Sequence, residues 1–245
     1  MICSALHKEY LSYLKQHKDP VRAIKDKAYL YSDLKHYGLP SAIIGAFFKV
    51  QDKQLAQLKK PEVVKFIKYF WGLPSFEERC LAVHILNLHA EKLNKTDMPL
   101  IEKLMRESKG WSFLDSLIIP LMPKLLVKDR SIYKYLTKWI VDKDFWVRRS
   151  ALLAQNLFFR KGIGGDAELF FDLARSQFDE KWIDANYTGS LSKKRARFFI
   201  RKAIGWALRE MSGKNPNVVQ KFLRENKGMM SGLSYKEGSA KLDKV

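Results

Sequence analysis

The sequence contains little cysteine and no long apolar segment. Only Cys3 and Cys80 occur in 245 residues, and they lie far apart in the chain. Two isolated thiols do not make the disulfide framework of a small secreted domain, and they are typical of proteins from a reducing compartment. No apolar run reaches the ~18–20 residues that a membrane span requires, and no signal peptide is evident at the N-terminus. We therefore expect a cytoplasmic protein with no membrane partner.

The signatures of common cofactor and metal sites are also missing. The chain has no G-x-G-x-x-G, no Walker loop and no H-E-x-x-H. His84 and His89 are five positions apart, whereas two ligands on one helix face require a spacing of four. We expect neither a cofactor nor a metal, so any chemistry must come from a few side chains.

Acidic residues are scarce relative to basic ones. The chain has 45 Lys and Arg against 26 Asp and Glu, which gives a net charge of +19. From Ser192 to Gly228 there are eleven Lys or Arg residues and only two acids, Glu210 and Glu225. Such an excess of positive charge indicates the kind of binding partner rather than the fold. Nucleic acid is the common polyanionic partner. A solvated basic surface without a ligand is the alternative.

The segments that are present are almost all amphipathic helices. Strand-type alternation is absent, and helical stretches such as Pro20–His36 and Phe145–Arg160 are separated by short Pro, Gly, Asn or Asp breaks. Asp19, Ser75 and Asn215 stand at predicted N-caps. Helix pairs recur about every 35–45 residues, as in HEAT-like repeats. We predict an all-α fold, a single α-solenoid domain over residues 1–245, with an irregular insertion at Asp179–Lys194.

Trp206 lies in a helix whose apolar stripe it does not join. The stripe repeats at helical spacing and consists of Ile200, Ala203, Ile204, Ala207 and Leu208. Trp206 should face away from it, between Lys202 and Arg209, with open space beside Gly205. An indole among cations suits stacking on a sugar or base whose phosphates the cations hold. Alternatively, a second layer of helices covers Trp206 and makes it part of the core.

Asp115 is the only acid between Glu107 and Asp129, and its neighbours are apolar. Trp111 is one helical turn earlier, so both side chains should point to the same side. A lone carboxylate beside an indole could oppose a developing cation, such as the oxocarbenium-like state of glycosidic bond cleavage. Alternatively, Asp115 caps a helix or pairs with a nearby Lys or Arg.

Three blocks of sequence carry a resemblance to a known family. They are Trp111-Ser112-Phe113-Leu114-Asp115-Ser116, Trp146-Val147-Arg148-Arg149-Ser150-Ala151, and the thirteen residues from Phe198 to Glu210. In this order they resemble the successive signatures of the AlkD-type DNA alkylation-repair glycosylases. Asn215-Pro216 and Leu233-Ser234-Tyr235-Lys236-Glu237 resemble that family's closing segments.

The resemblance implies a HEAT-like solenoid whose concave basic face holds alkylated double-stranded DNA. Such enzymes excise cationic N3- and N7-alkylpurines without swinging the base into a deep pocket, unlike most glycosylases. Asp115 would be the catalytic carboxylate, with Trp111 and Trp206 against the deoxyribose. Phosphate and lesion contacts would come from Arg149, Arg148, Lys202, Arg209 and Tyr29. The protein would act as a monomer and associate with the nucleoid through its DNA.

Two further functions stay open. Gly110 stands where the family often has another tryptophan, and the interval from Arg149 to Trp206 is lengthened by the insertion. The N-terminal helices also match the family poorly, and they together with the insertion favour a non-catalytic protein that binds branched or damaged DNA. A HEAT-like scaffold for protein partners fits the helices too, but it leaves the basic cluster and the lone carboxylate unexplained.

Overall fold

The computed structural model describes residues 2–189 and 191–242, which are mostly α-helical, with short 3-10 helices at Ala90–Lys92, Lys95–Asp97 and Arg130–Ile132. The first helices are α1 Cys3–Gln16, α2 Pro20–Leu30, α3 Ser41–Leu55, α4 Lys60–Trp71, α5 Phe76–Leu88, α6 Met98–Glu107 and α7 Trp111–Lys128. The others are α8 Tyr133–Trp139, α9 Phe145–Leu153, α10 Asn156–Lys161, α11 Ala167–Arg175, α12 Lys181–Asn186, α13 Lys193–Ser212, α14 Pro216–Asn226 and α15 Gly232–Ser239. Within the described ranges the only β-type pairing is one isolated bridge, Lys35 with Ser75. The prediction of an all-α fold is confirmed.

The chain forms two compact units, divided between Leu117 and Ile118 inside α7. Each unit has its own apolar core. Fully buried large side chains include Tyr10, Phe70 and Ile67 in the first unit and Trp139, Phe145, Phe170 and Phe222 in the second. The single domain and the basic concave face both stay predictions.

All three predicted N-cap residues stand at the start of a helix, and two of them cap it with their side chains. The Asp19 side chain accepts a hydrogen bond from the Arg22 backbone N–H. Ser75 and Glu78 form a reciprocal capping box at the start of α5. Asn215 also occupies the N-cap position and Pro216 begins α14, as predicted, but the Asn215 side chain makes no capping hydrogen bond.

Two predicted helices end earlier than expected. The helix from Pro20 stops at Leu30 because Tyr31 adopts the left-handed conformation with φ 53°. The stretch expected as Phe145–Arg160 breaks between α9 and α10. At the break, the Gln155 carboxamide accepts from the Asp166 backbone N–H at 2.6 Å and donates to its carbonyl oxygen at 3.2 Å.

The insertion is partly helical, so the prediction of an irregular loop over Asp179–Lys194 is wrong at α12. This helix is fastened to α13 by ion pairs, since Arg197 and Arg201 both bind Glu180 and Arg197 also binds Asp184. Ser190, also within the predicted loop, lies outside the described residues.

Helix α2 packs loosely, although the loop that follows it is fixed by hydrogen bonds and lies against the residue that precedes the helix. None of its residues is buried, and Val21 and Ile24 are 64% and 74% exposed. The buried Glu77 carboxylate accepts hydrogen bonds from backbone N–H groups of the loop that follows α2, the shortest from Gly38 at 2.8 Å. Gly38 is required there, because its φ is +82° and a Cβ would lie 2.2 Å from the Asp19 carbonyl oxygen.

Candidate nucleic-acid interface and active site

Trp111 and Asp115 lie one turn apart at the start of α7. Both side chains are half-buried, whereas Phe113, Leu114 and Leu117 are buried in the core. The prediction that this block is helical is confirmed, and the spacing of four residues places the indole and the carboxylate on the same helix face.

Tyr29 comes from a distant part of the sequence and meets Trp111. Their ring centroids are 5.7 Å apart and the rings are nearly perpendicular, in an edge-to-face arrangement. Gly110 permits this approach, because a Cβ at that position would lie 3.3 Å from the Leu30 carbonyl oxygen at the end of α2. Tyr29 itself is 68% exposed, which leaves much of its ring available to a ligand.

Arg149 is buried, at 3% relative exposure. Its Nη1 donates a hydrogen bond to the Phe199 carbonyl oxygen at 2.7 Å, and its guanidinium lies over the Phe199 ring. It therefore connects α9 to α13. The expected contact with DNA phosphate does not fit this placement, because phosphate requires a guanidinium that solvent can reach.

Arg148 is buried as well, and the insertion covers it. Its guanidinium stacks on the Trp182 ring of α12 at 3.6 Å and donates to the carbonyl oxygens of Asp142 and Val141 and to Gln177. Burial lowers the pKa of Arg148 to about 10, although Asp142 opposes the shift. Arg148 therefore remains charged at neutral pH, but its expected phosphate contact does not fit this placement either.

Trp206 faces away from the apolar stripe of α13, as expected. The five stripe residues are buried, whereas Trp206 is half-buried. Its indole Nε1–H donates to Glu210 Oε1 at 3.0 Å, and Glu210 also binds Arg160 and Lys241. Burial alone would raise the pKa of Glu210, but the hydrogen bond from Trp206 and the charge of Arg160 outweigh it and lower the pKa. The indole is thus held by a charged acceptor.

The expectation of open space beside Gly205 is wrong. Helix α15 lies against this position, so that a Cβ on Gly205 would be 2.5 Å from the Glu237 Cβ. Glycine here serves close helix packing. Glu237 pairs with both flanking cations, Lys202 Nζ at 2.6 Å and the Arg209 guanidinium. Their charges are therefore partly compensated within the protein, although the side chains remain 40% and 32% exposed.

Sequence reasoning missed the acidic and aromatic groups that organise the basic segment. Glu180 immediately before α12, Asp184 on α12 and Glu237 on α15 all lie outside Ser192–Gly228, and each pairs with cations inside it. Trp182 was missed as the partner of Arg148. The only available signal was the position of these acids in segments flanking the basic run.

Within residues 2–189 and 191–242, no helix combines the length and apolarity needed to cross a bilayer. The same ranges contain no group of three or more His, Cys, Asp or Glu side chains arranged to hold a metal ion.

Comparisons with known proteins found a similar solved structure and a matching family model. A solved structure described as "Predicted DNA alkylation repair enzyme from Enterococcus faecalis" is similar in fold, with a TM-score of 0.72 and 22% sequence identity. The similarity covers 94% of this chain and 98% of that one. No curated protein matches the sequence. The model of one family, described as DNA alkylation repair enzyme, matches residues 10–242. The chain therefore belongs to the DNA alkylation repair enzyme family.

Proposed function

We propose that the chain is a monofunctional DNA glycosylase that hydrolyses the N-glycosidic bond of cationic N3- and N7-alkylated purines in duplex DNA. The observation that carries the proposal is the arrangement of Asp115 one helical turn from Trp111, whose ring Tyr29 holds from the side. Two aromatic rings and one carboxylate on a half-buried surface suit a sugar that becomes positively charged.

The reaction requires little from the protein, because an alkylated purine is already a good leaving group. The electrons of the N-glycosidic bond pass to the purine ring and neutralise its positive charge, and C1′ of the sugar becomes electron-poor. The Asp115 carboxylate stabilises this developing cation and positions a water molecule, which adds to C1′ and transfers its proton to the carboxylate. The base need not turn into a deep pocket first.

The aromatic residues would contact the sugar, and the exposed cations would contact the phosphates. Trp111 would pack against the deoxyribose of the lesion, and Tyr29 would support Trp111. Trp206 would supply a further aromatic face for the DNA. Phosphate contacts are proposed for Lys202 and Arg209, whose side chains remain partly exposed. Arg148 and Arg149 are buried, and this favours a structural role in which their contacts fix the position of α9. We propose a monomer that acts in the cytoplasm on nucleoid DNA.

The experiment that tests the proposal is incubation of the chain with duplex DNA containing N7-methylguanine, followed by chromatography of released bases. Released 7-methylguanine with intact strands is the expected result for a monofunctional enzyme. Spontaneous depurination of the same duplex without protein sets the background.

The second candidate is a non-catalytic protein that binds branched or damaged DNA. The buried placement of Arg148 and Arg149 favours this second candidate, because buried arginines make no direct contact with the DNA strand that carries the lesion. No release from either N3- or N7-alkylpurine substrates, together with tighter binding to a four-way junction than to a duplex, would establish this candidate instead.

A further inference from the structure

A cleft of ≈ 450 Å³ opens between α2, α3, α5 and α7, entirely within the first unit. Its size falls in the range of small-molecule sites, about 300–1,000 Å³. The wall contains aromatic rings from all four helices: Tyr29, Phe48, Phe76 and Trp111. Flat aromatic walls favour a flat ligand, because stacking uses the whole face of each ring.

Two polar side chains in the wall, Asp26 and Asn87, offer hydrogen-bond acceptors. Asp26 is half-buried and pairs with Arg22 at 3.1 Å. Asn87 donates from Nδ2 to the Ser116 carbonyl oxygen, whereas its Oδ1 is buried and has no partner among the described residues. A buried acceptor without a donor is costly, about 1–3 kcal/mol. The wall therefore suits a heteroaromatic ligand that carries amino or ring N–H donors.

His84 of α5 also lines the cleft. Its ring stacks on Phe48 with centroids 4.5 Å apart, and its Nε2 lies 2.6 Å from Asp52 Oδ1. The Asp52 carboxylate thus fixes the imidazole plane against the phenyl ring. A preformed, oriented aromatic surface lowers the entropic cost of stacking a ligand.

Helix α2 forms the wall of the cleft that can move most easily. It has no buried residue, and its apolar Val21 and Ile24 side chains are exposed. Elements with few buried apolar contacts open at low free-energy cost, and ligand-binding elements are often drawn from them. Displacement of α2 would widen the cleft and give a ligand access to the Asn87 acceptor.

We propose that this cleft binds a free purine base that carries an exocyclic amine, namely the alkylpurine released from DNA. The choice of an alkylpurine rests on the proposed function, because Tyr29 and Trp111 line both the cleft and the site of the lesion. The base enters after the N-glycosidic bond has broken, so the cleft is a product site and requires no base flipping before cleavage. Occupation of the cleft would slow release of product and inhibit further turnover.

The test is titration of the full chain with 3-methyladenine while tryptophan fluorescence is recorded, because Trp111 lies in the wall. Gly45 offers a way to fill the cleft, since it lines the cavity and its Cβ position has nothing within 4 Å. Gly45→Leu should weaken binding at least about tenfold, or ~1.4 kcal/mol. Val50→Leu is the matched control, because Val50 lies on the same helix, is 75% exposed and is outside the cleft wall.

Asn87→Leu is the second variant, and it keeps the proposal testable if Gly45→Leu fails to fold. Adenine and unsubstituted purine are compared as ligands. The wild type should prefer adenine by about fivefold, the equivalent of one hydrogen bond of ~1 kcal/mol, and Asn87→Leu should lose this preference. Toluene serves as the control for nonspecific apolar binding, and competition by toluene as strong as that by 3-methyladenine overturns the assignment.

The outcomes separate this inference from the proposed function. Absence of saturable binding, or wild-type affinity in a folded Gly45→Leu, overturns the product site even if 7-methylguanine is released from duplex DNA. Saturable binding that Gly45→Leu abolishes supports the cleft even if no base is released from DNA, in which case the glycosylase proposal alone fails.

Discussion

The ring of Tyr29 touches the ring of Trp111 edge to face, at 5.7 Å between centroids, although the two residues are distant in sequence. Tyr29 lies near the end of a helix with no buried residues, and its ring packs against the ring of Trp111. Gly110, which precedes Trp111, allows the end of α2 to approach α7. Glycine at position 110 is thus the residue that the close approach of the two helices favours.

Asp115→Asn removes a negative charge and preserves the shape of the side chain. Base release should fall by at least ~10²-fold, the scale observed when a preorganised electrostatic partner of a transition state is lost. Duplex binding should persist, because one negative charge near phosphate is gone. Chromatography of released bases measures the first effect and a binding titration the second. Wild-type rates in the variant would exclude Asp115 as the catalytic group.

Trp206→Ala should reduce base release by roughly 5- to 150-fold, the equivalent of the ~1–3 kcal/mol of one stacking contact. Trp206→Phe keeps an aromatic face but loses the hydrogen bond to Glu210, so it should retain most of the rate. Single-turnover release and thermal unfolding are measured for both variants. A loss of helical signal in Trp206→Ala would show instead that the indole belongs to the core.

Gly205→Ala should destabilise the protein by about 1–3 kcal/mol, because the new methyl group collides with Glu237 and α15 must move away. Gly45→Ala is the matched control, since it is also a helical glycine and its Cβ position is open. It should be neutral or stabilising by up to about 1 kcal/mol, through the helix propensity of alanine. Chemical denaturation measures both. Equal stability of the two variants would contradict the close packing of α13 on α15.

Glu210 should make stability depend on acidic pH. Its pKa in the folded protein is lower than the ordinary value of 4.5, so the unfolded chain takes up a proton more readily. The stabilisation is complete above that ordinary value and is lost as the pH falls through the lower, folded-state pKa. The difference in Tm between the wild type and Glu210→Gln should therefore be largest at neutral pH and shrink below about pH 5. A difference that grows in acid would reverse the assigned direction of the pKa shift.

Binding to duplex DNA should be independent of sequence and sensitive to salt, because Lys and Arg displace counterions from phosphate. Lys202→Ala should weaken binding on every sequence alike and lower the slope of log affinity against log salt by about 1. Lys221→Ala is a control on the same basic segment, on α14. A slope near zero in the wild type would remove the electrostatic basis of the DNA interaction.

Periodicity and composition determined the all-α fold, the buried stripe of α13 and the helical spacing of Trp111 and Asp115. These properties are local, since one helix period decides which side chains share a face. The cap at Ser75 was predictable for the same reason, because its partner Glu78 is three residues away.

Only the tertiary structure decided which charges and rings meet across the chain. Trp182 covers Arg148, and Glu237 occupies the space beside Gly205. No local sequence pattern indicates either partner. The contact of Tyr29 with Trp111 and the cleft behind it likewise depend on how α2 crosses α7. Helix period fixes the direction of a side chain on its own helix, whereas the packing of other helices determines what that side chain faces.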